Sequence, residues 1–247
     1  MKIAVTLVGI VVCASGAALA DPGADMLSKV DTAMNNFTDG EFESKLYIRD
    51  PSGQAREIDF TTYQKVPDKR LVRFSAPGDL KGMGVLVENK DVMYVFLPGF
   101  QKVRRVGTHV KAQTFMGSDF SYEDMSLSRY SPTYDAKLVK EDATSWELEL
   151  SVKPGQEIEY PRVHMWVEKK SQQPTRIDFE DAGGKVLKTA EYLDYHIDGG
   201  THYGPSKVVV TDHRRNDHKS EIDFVSTKLN QGLKDDFFTQ RTLIRGH

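Results

Sequence analysis

Residues 145–152 read Ser145-Trp146-Glu147-Leu148-Glu149-Leu150-Ser151-Val152, with an apolar side chain at every second position. This period of two is typical of a β-strand, in which successive side chains point to opposite faces of a sheet. One face of this strand is therefore predicted to pack in a core while the other faces water. Because similar runs continue in both directions along the chain, we predict a mainly β protein.

Further segments alternate in the same way or are short apolar runs bounded by turn residues, and we predict a strand in each. They are 42–48, 54–66, 70–75, 83–87, 92–97, 101–106, 161–169, 175–180, 185–197, 206–213 and 221–229. Short connections such as Asp50-Pro51-Ser52-Gly53 favour antiparallel neighbours. A sheet of roughly twelve strands usually curls or closes, and its concave face is then too wide for side chains alone to fill.

One amphipathic helix precedes the strands. Four apolar residues recur there at spacings of three and four, as on one stripe of a helix, and they are Leu27, Val30, Met34 and Phe37. Thr38-Asp39-Gly40 is predicted to end this helix. Residues 107–130 break the period of two between the two groups of strands, so we predict a loop with a short helix there.

The N-terminus has the parts of an export signal. Met1-Lys2 is positively charged, residues 3–12 are almost all apolar, and Ala18-Leu19-Ala20 has the small residues that signal peptidase requires. The apolar run is shorter than the roughly 20 residues that span a membrane. We therefore predict that residues 1–20 are cleaved and that residues 21–247 form one domain. Cys13 leaves lipidation as an alternative, although Val12 stands where a small residue is needed.

The composition excludes several classes of function. The chain has 39% apolar and 28% charged residues, which is sufficient for a sizeable core, and its net charge is −3 with both signs interspersed. Such a charge distribution argues against nucleic acid as a partner. Because Cys13 is the one cysteine, the rest of the chain has no disulfide or thiolate nucleophile. An exported chain of this kind fits the bacterial periplasm.

No catalytic motif is present, so we predict no enzyme, no metal and no cofactor. The chain has no G-x-S-x-G nucleophile elbow, no glycine-rich phosphate loop and no H-E-x-x-H helix. One charged stretch combines metal-ligand residue types, but it is interpreted as a hairpin turn rather than a metal site. Its residues are Asp212, His213, Asp217 and His218.

Three carboxylates in the middle segment have two interpretations. Asp119, Glu123 and Asp124 are spaced closely enough for acid–base chemistry or calcium binding. In a loop that covers a sheet, they would instead cap a helix, increase solubility or contact a partner. We favour the second interpretation.

Four segments resemble the periplasmic lipoprotein carriers, and in particular the broader family of outer-membrane lipoprotein-sorting proteins, which are LolA-like. Residues 65–74 resemble a strand, a proline turn and a strand of those carriers, and residues 85–98 resemble their hairpin that ends in aromatics and proline. Residues 115–125, Phe-Met-Gly-Ser-Asp-Phe-Ser-Tyr-Glu-Asp-Met, resemble the signature of the broader family. Phe237-Phe238-Thr239 fits the same family.

The resemblance implies an incomplete, strongly curved antiparallel β-barrel of about 11 to 13 strands, with an α-helical lid over an apolar cavity. The residues expected to line the cavity are Ile58, Phe60, Phe74, Val85, Val87, Tyr94, Phe96, Trp146, Leu148, Leu150, Met165 and Phe179. The residues expected in the lid are Leu27, Val30, Met34, Phe37, Phe115, Met116, Phe120 and Tyr122.

The function implied by the resemblance is that of a soluble periplasmic carrier. Such a carrier shields the acyl chains of a lipoprotein or lipid on the way from the inner to the outer membrane. Its partners would be an inner-membrane exporter and an outer-membrane acceptor, with transient membrane contact.

One position departs from the family pattern. The carriers that work with a dedicated transporter have an arginine immediately before the turn proline, where this chain has Val66. Arg70 and Arg73 lie nearby and are candidates for the switch or docking role of that arginine.

Two other functions stay open from the sequence. The first is a non-catalytic periplasmic sensor or scaffold of the same fold that binds a protein partner. The second is an enzyme that acts on lipid, which would be revealed by product formation from labelled phospholipid.

Overall fold

The computed structural model describes residues 22–49, 54–156, 158–200 and 202–245. The predicted signal peptide, Cys13 and the turn at 50–53 lie outside the described residues. The helices are α1 (Pro22–Met34), α2 (Thr108–Lys111), α3 (Tyr122–Ser126) and α4 (Gln240–Arg245), and short 3-10 turns cover Pro98–Phe100, His213–Arg215 and Asp235–Phe237.

The strands alternate with tight turns along nearly the whole described chain. They are β1 (Asp39–Arg49), β2 (Ala55–Lys65), β3 (Lys69–Ala76), β4 (Gly84–Asn89), β5 (Val92–Leu97), β6 (Lys102–Arg105), β7 (Tyr134–Glu141), β8 (Ser145–Val152), β9 (Arg162–Glu168), β10 (Gln173–Glu180), β11 (Val186–Asp198), β12 (His202–Asp212) and β13 (His218–Leu229). Only β7 lies outside the segments predicted from the sequence.

All thirteen strands belong to one sheet, in the order β6-β5-β4-β3-β2-β1-β13-β12-β11-β10-β9-β8-β7. Every pairing is antiparallel. The sheet is curved and open, with β6 and β7 as its edges. The prediction of a mainly β, incomplete antiparallel barrel with helices is confirmed.

The register determines which face of each strand is buried. Val85 of β4 pairs with Val95 of β5, and both lie in an apolar cluster with Phe74 on the inner face. Leu86 pairs with Tyr94, and both point to the opposite, outer face. A second inner cluster is built on strands β7 to β12.

Helix α1 covers one end of the sheet. It packs against β7, β10 and β12, and its Leu27 and Val30 are completely buried. The buried carboxylate of Asp31 accepts hydrogen bonds from the backbone N–H groups of Tyr130 and Ser131, at 2.7 and 2.8 Å. Apolar contacts and two charge-assisted hydrogen bonds therefore hold this helix.

No helix among the described residues is long and apolar enough to cross a membrane.

Helix α4 covers the outer face of β3 to β5. Leu243 is fully buried there, and its side chain fills the space that a Cβ atom on residue Gly84 would occupy. Arg73 of β3 donates hydrogen bonds to the carbonyls of Thr242 and Leu243. The C-terminal helix is thus attached on the side of the sheet that faces away from α1 and the middle segment.

Gly23→Ala tests the contact between α1 and the edge strand β7. An added Cβ would lie 2.5 Å from the carbonyl oxygen of Ala136 and 2.7 Å from the nitrogen of Leu138. Because backbone atoms cannot move aside cheaply, we expect the free energy of unfolding to fall by about 1–3 kcal/mol in chemical denaturation. The matched control is Gly78→Ala, whose Cβ meets nothing within 4 Å. Equal stability of the two variants would contradict this packing.

Candidate functional site

A cavity of about 340 Å³ lies on the inner face of the sheet, under α1 and the middle segment. This volume is at the low end of the range of about 300–1,000 Å³ for small-molecule sites. Its apolar lining consists of Met34, Phe37, Phe42, Leu46, Phe60, Val72, Phe74, Phe115, Phe120, Met125, Leu127, Tyr130, Pro174, Phe179, Ala190, Tyr192, Tyr195, Tyr203, Pro205, Val208, Val210, Ile222 and Phe224. A smaller polar set completes the wall: Thr62, Gln64, Arg70, Asp124, Gln173, Lys188, Asp198, His202, Gly204 and Thr227.

Three of the predicted cavity residues, Phe60, Phe74 and Phe179, line the cavity. Most of the others are buried in the clusters packed around it, and these are Ile58, Val85, Val87, Trp146, Leu148, Leu150 and Met165. Tyr94 and Phe96 lie elsewhere, in the outer cluster beneath α4. They cannot share a face with Val85 and Val87, because the register pairs Tyr94 with Leu86 and Phe96 with Gly84.

The predicted lid residues divide in a similar way. Met34, Phe37, Phe115 and Phe120 line the cavity from above the sheet. Leu27 and Val30 are instead buried in the packed cluster against the sheet, and Met116 and Tyr122 pack against the other inner cluster. The middle segment therefore contributes part of its side chains to the cavity wall and packs others on the sheet.

Many lining residues were missed by sequence reasoning. Strands β11, β12 and β13 contribute Tyr192, Val208 and Ile222, which occupy one row across neighbouring strands. Burial raises the pKa of Tyr192 to about 12, so its hydroxyl stays neutral. The period of two had identified the strands, but it does not indicate which of them lie beneath the lid.

A buried ion pair joins the lid to the cavity wall. Lys188 of β11 has a side chain that is 1% exposed, and its Nζ lies 2.7 Å from both carboxylate oxygens of Asp124 on α3. The ammonium also lies 4.5 Å from the ring centre of Tyr160 and 4.7 Å from that of Phe179. Cation–π attraction and the ion pair together satisfy the buried charge.

Asp124 has a second role at the start of α3. Its carboxylate accepts the backbone N–H of Ser121 at 2.7 Å, while its own N–H donates to the Ser121 hydroxyl at 3.2 Å. This reciprocal capping box begins the helix. It agrees with the interpretation of Asp124 as a capping residue.

Asp119 fastens the middle segment to the sheet at a second point. Its side chain is fully buried, and its carboxylate contacts Arg215 at 2.9 Å, His218 at 2.7 Å and the Ser220 hydroxyl at 2.7 Å. Its backbone N–H also donates to Ser220. The serine and the histidine both contact the carboxylate, so this cluster lacks the serine-to-histidine contact of a hydrolase triad.

The charged side chains at the β12–β13 turn form separate polar pairs. Asp212 binds Arg214 at 2.9 Å, His213 contacts Asp217 at 2.5 Å, and His218 faces Asp119. Within the part of the chain that the structure describes, no group of three or more histidine, cysteine or acidic side chains is arranged to hold a metal ion. The stretch forms a hairpin turn, as its sequence indicated.

The two candidate switch arginines lie on opposite faces of β3. Arg70 lines the cavity, and its Nη1 donates to the carbonyl oxygen of Met125 at 2.6 Å, which connects β3 to the end of α3. Its Nη2 donates to Gln64 at 3.2 Å. Arg73 points to the outer face, where it contacts α4.

A curved, open antiparallel sheet with an apolar cavity under short helices defines the class of LolA-like open-barrel folds. Three solved structures share this fold, and the likeness confirms the resemblance to lipoprotein-sorting proteins. A DUF1329 family protein from Desulfovibrio piger has a TM-score of 0.82 and 26% identity, covering 90% of this chain and 98% of that protein.

The second structure is a putative outer membrane lipoprotein-sorting protein domain from Vibrio parahaemolyticus, with a TM-score of 0.81 and 21% identity over 91% of this chain and 99% of its own. The third is a LolA superfamily protein from Nitrosomonas europaea, with a TM-score of 0.75 and 19% identity. The match covers 89% of this chain and 99% of that protein. The sequence model of a family described as "Uncharacterized protein" matches residues 67–245, and this chain belongs to that family. No curated protein matches the chain.

Glu123→Gln tests the burial of the carboxylate on α3. Burial raises the pKa of Glu123 from 4.5 to about 7. Below about pH 4.5 the carboxyl group is protonated in both the folded and the unfolded protein, so it costs no stability. Between about pH 4.5 and 7 it ionises more readily in the unfolded protein, so the free energy of unfolding falls as the pH rises. Because the group is only partly buried, we expect the variant to gain about 1 kcal/mol at pH 8 and little at pH 4, by chemical denaturation.

Glu149→Gln is the matched control, since Glu149 lies on the face of β8 opposite to the buried Leu148 and Leu150. It should show the same stability change at both pH values. A Glu123→Gln variant without any gain at pH 8 would contradict the account.

Proposed function

We propose that this protein is a periplasmic carrier that shields acyl chains during transfer between the inner and outer membranes. The observation that carries the proposal is the apolar cavity beneath the two covering segments, built in a LolA-like fold. The proteins of known structure with this fold include a putative outer membrane lipoprotein-sorting domain. Residues 21–247 would act as one unit after removal of residues 1–20.

The energetics of acyl transfer fit such a cavity without covalent chemistry. A chain of about sixteen carbons gains roughly 13 kcal/mol on leaving water, at about 0.8 kcal/mol per methylene. A carrier must also release its cargo, which favours adaptable linings over rigid aliphatic packing. The side chains of Met34, Met125 and the aromatic residues around them supply such a lining. We accordingly propose a non-catalytic role.

The contacts of the covering segments suggest how cargo enters. Asp31 holds α1, the Lys188–Asp124 pair holds α3, and Arg70 binds the last turn of α3 through the Met125 carbonyl. We propose that these polar contacts break together when the lid opens, with Arg70 in the switch role. An inner-membrane exporter and an outer-membrane acceptor would supply the donor and recipient surfaces through transient membrane contact.

Phe60→Glu tests the cavity itself. Phe60 lines the cavity on β2, so a carboxylate there would make acyl binding unfavourable because a charge would lose its water. We expect at least about a tenfold loss of affinity for a fluorescent fatty acid in a titration. Phe100→Glu is the matched control, because Phe100 is 70% exposed and outside the cavity. Unchanged binding in folded Phe60→Glu protein would contradict the proposal.

Asp31→Asn tests the lid without altering the cavity wall. The variant removes one of the two hydrogen bonds that Asp31 accepts from the N–H groups of Tyr130 and Ser131 and weakens the other, because an amide has a single acceptor oxygen and no charge. We expect stopped-flow uptake and release of the same probe to become several-fold faster, with a smaller change in affinity. Thr32→Ala, on the exposed side of α1, should leave both rates unchanged. Unchanged rates in Asp31→Asn would show that α1 does not gate the cavity.

A further inference from the structure

The cavity wall formed by β2 and β3 changes from polar to apolar along the strands. Three cross-strand pairs line it in succession, and they are Gln64 with Arg70, Thr62 with Val72, and Phe60 with Phe74. At about 3.3 Å per residue, Arg70 and Phe74 are roughly 13 Å apart along β3. This is the order of an amphiphile, with a polar group at one end and an apolar chain beyond it.

Arg70 brings a positive charge to the polar end without an acidic partner. Its two hydrogen bonds go to neutral acceptors, the Met125 carbonyl at 2.6 Å and the Gln64 side chain at 3.2 Å. Among the described residues, no carboxylate oxygen lies within 4.0 Å of its guanidinium. Burial lowers the pKa of Arg70 to about 10, and no acidic neighbour opposes this shift.

The other lysine or arginine of the wall, among the described residues, is Lys188, and its Nζ is paired with the Asp124 carboxylate at 2.7 Å. Asp198 is itself an anion, and its carboxylate contacts Nε2 of His196 at 3.0 Å. A buried charge without a partner is expensive, and a guanidinium has donors arranged for a planar or tetrahedral anion. In the described part of the chain, Arg70 is therefore the one lysine or arginine of the wall without an acidic partner, and Val72, Phe60 and Phe74 continue from it as an apolar slot.

We propose that Arg70 is the headgroup site of the cavity and that the cargo is a single-chain amphiphile with a carboxylate or phosphate headgroup. This inference rests on the proposed carrier function and names its cargo class. The chain would run from Arg70 over Val72 towards Phe60 and Phe74. The modest volume of about 340 Å³ suits one chain.

The test compares ligands of equal chain length by isothermal titration calorimetry, below their micelle concentrations. Dodecanoate, dodecyl phosphate and dodecanol are titrated into the purified protein, Arg70→Gln, and the control Arg104→Gln on the exposed part of β6. We expect the two anions to bind at least about tenfold tighter than dodecanol to the unaltered protein. Arg70→Gln should lose this preference and keep its affinity for dodecanol, whereas Arg104→Gln should keep the preference.

Two outcomes overturn the headgroup assignment while leaving the carrier function intact. These are equal affinities of the unaltered protein for all three ligands, and a preference for anions that survives in folded Arg70→Gln protein. Binding of none of the ligands would contradict the carrier function as well. The ligand comparison in the unaltered protein does not depend on whether the Arg70→Gln variant folds. The Arg70→Lys variant keeps the positive charge and should retain part of the preference for the anionic ligands over dodecanol.

Inorganic phosphate distinguishes a free anion from a headgroup. If the apolar slot contributes, dodecyl phosphate should bind at least about a hundredfold tighter than inorganic phosphate, since each buried methylene adds affinity. Equal affinities would show a free-anion site and overturn the assignment of an amphiphile.

Discussion

A sheet of thirteen strands that curls without closing has an inner face that its own side chains do not fill. Each strand contributes every second residue to that face, and the residues in between point to the outer face, where they meet water or α4. The resulting space must be covered, because an exposed apolar surface of this width is unfavourable in water. Helix α1 and the middle segment provide the cover, and the remaining gap is the cavity.

Polar contacts determine where the cover sits. Apolar burial has no direction, so it would permit many positions of a short helix on a curved sheet. Asp31, Asp119 and Asp124 each place a buried or partly buried carboxylate against a defined set of donors. Such contacts are costly when they are broken one at a time, since each leaves an unpaired buried group. They therefore hold the cover in one defined position on the sheet.

The period of two was sufficient to predict the class of fold and most strands. The strand Tyr134–Glu141 was missed because it is an edge strand whose second half is exposed, so only its first residues alternate. The faces of the strands could not be read from the sequence, since alternation in one strand does not indicate its register with the next. Tyr94 and Phe96 illustrate this, as they follow the same period as Val85 and Val87 but lie on the other side of the sheet. Arg70 was identified through the resemblance, whereas the lack of an acidic partner for it among the described residues required the three-dimensional arrangement.

If the protein is a carrier, its cavity holds a lipid in the cell. Mass spectrometry of an organic extract tests it most directly, using protein purified from its native cells without detergent and quantified against the protein concentration. We expect an amphiphile in a near-stoichiometric amount, absent from a folded variant with a blocked cavity. A folded native protein that contains no such molecule and takes up no added acyl ligand would contradict it.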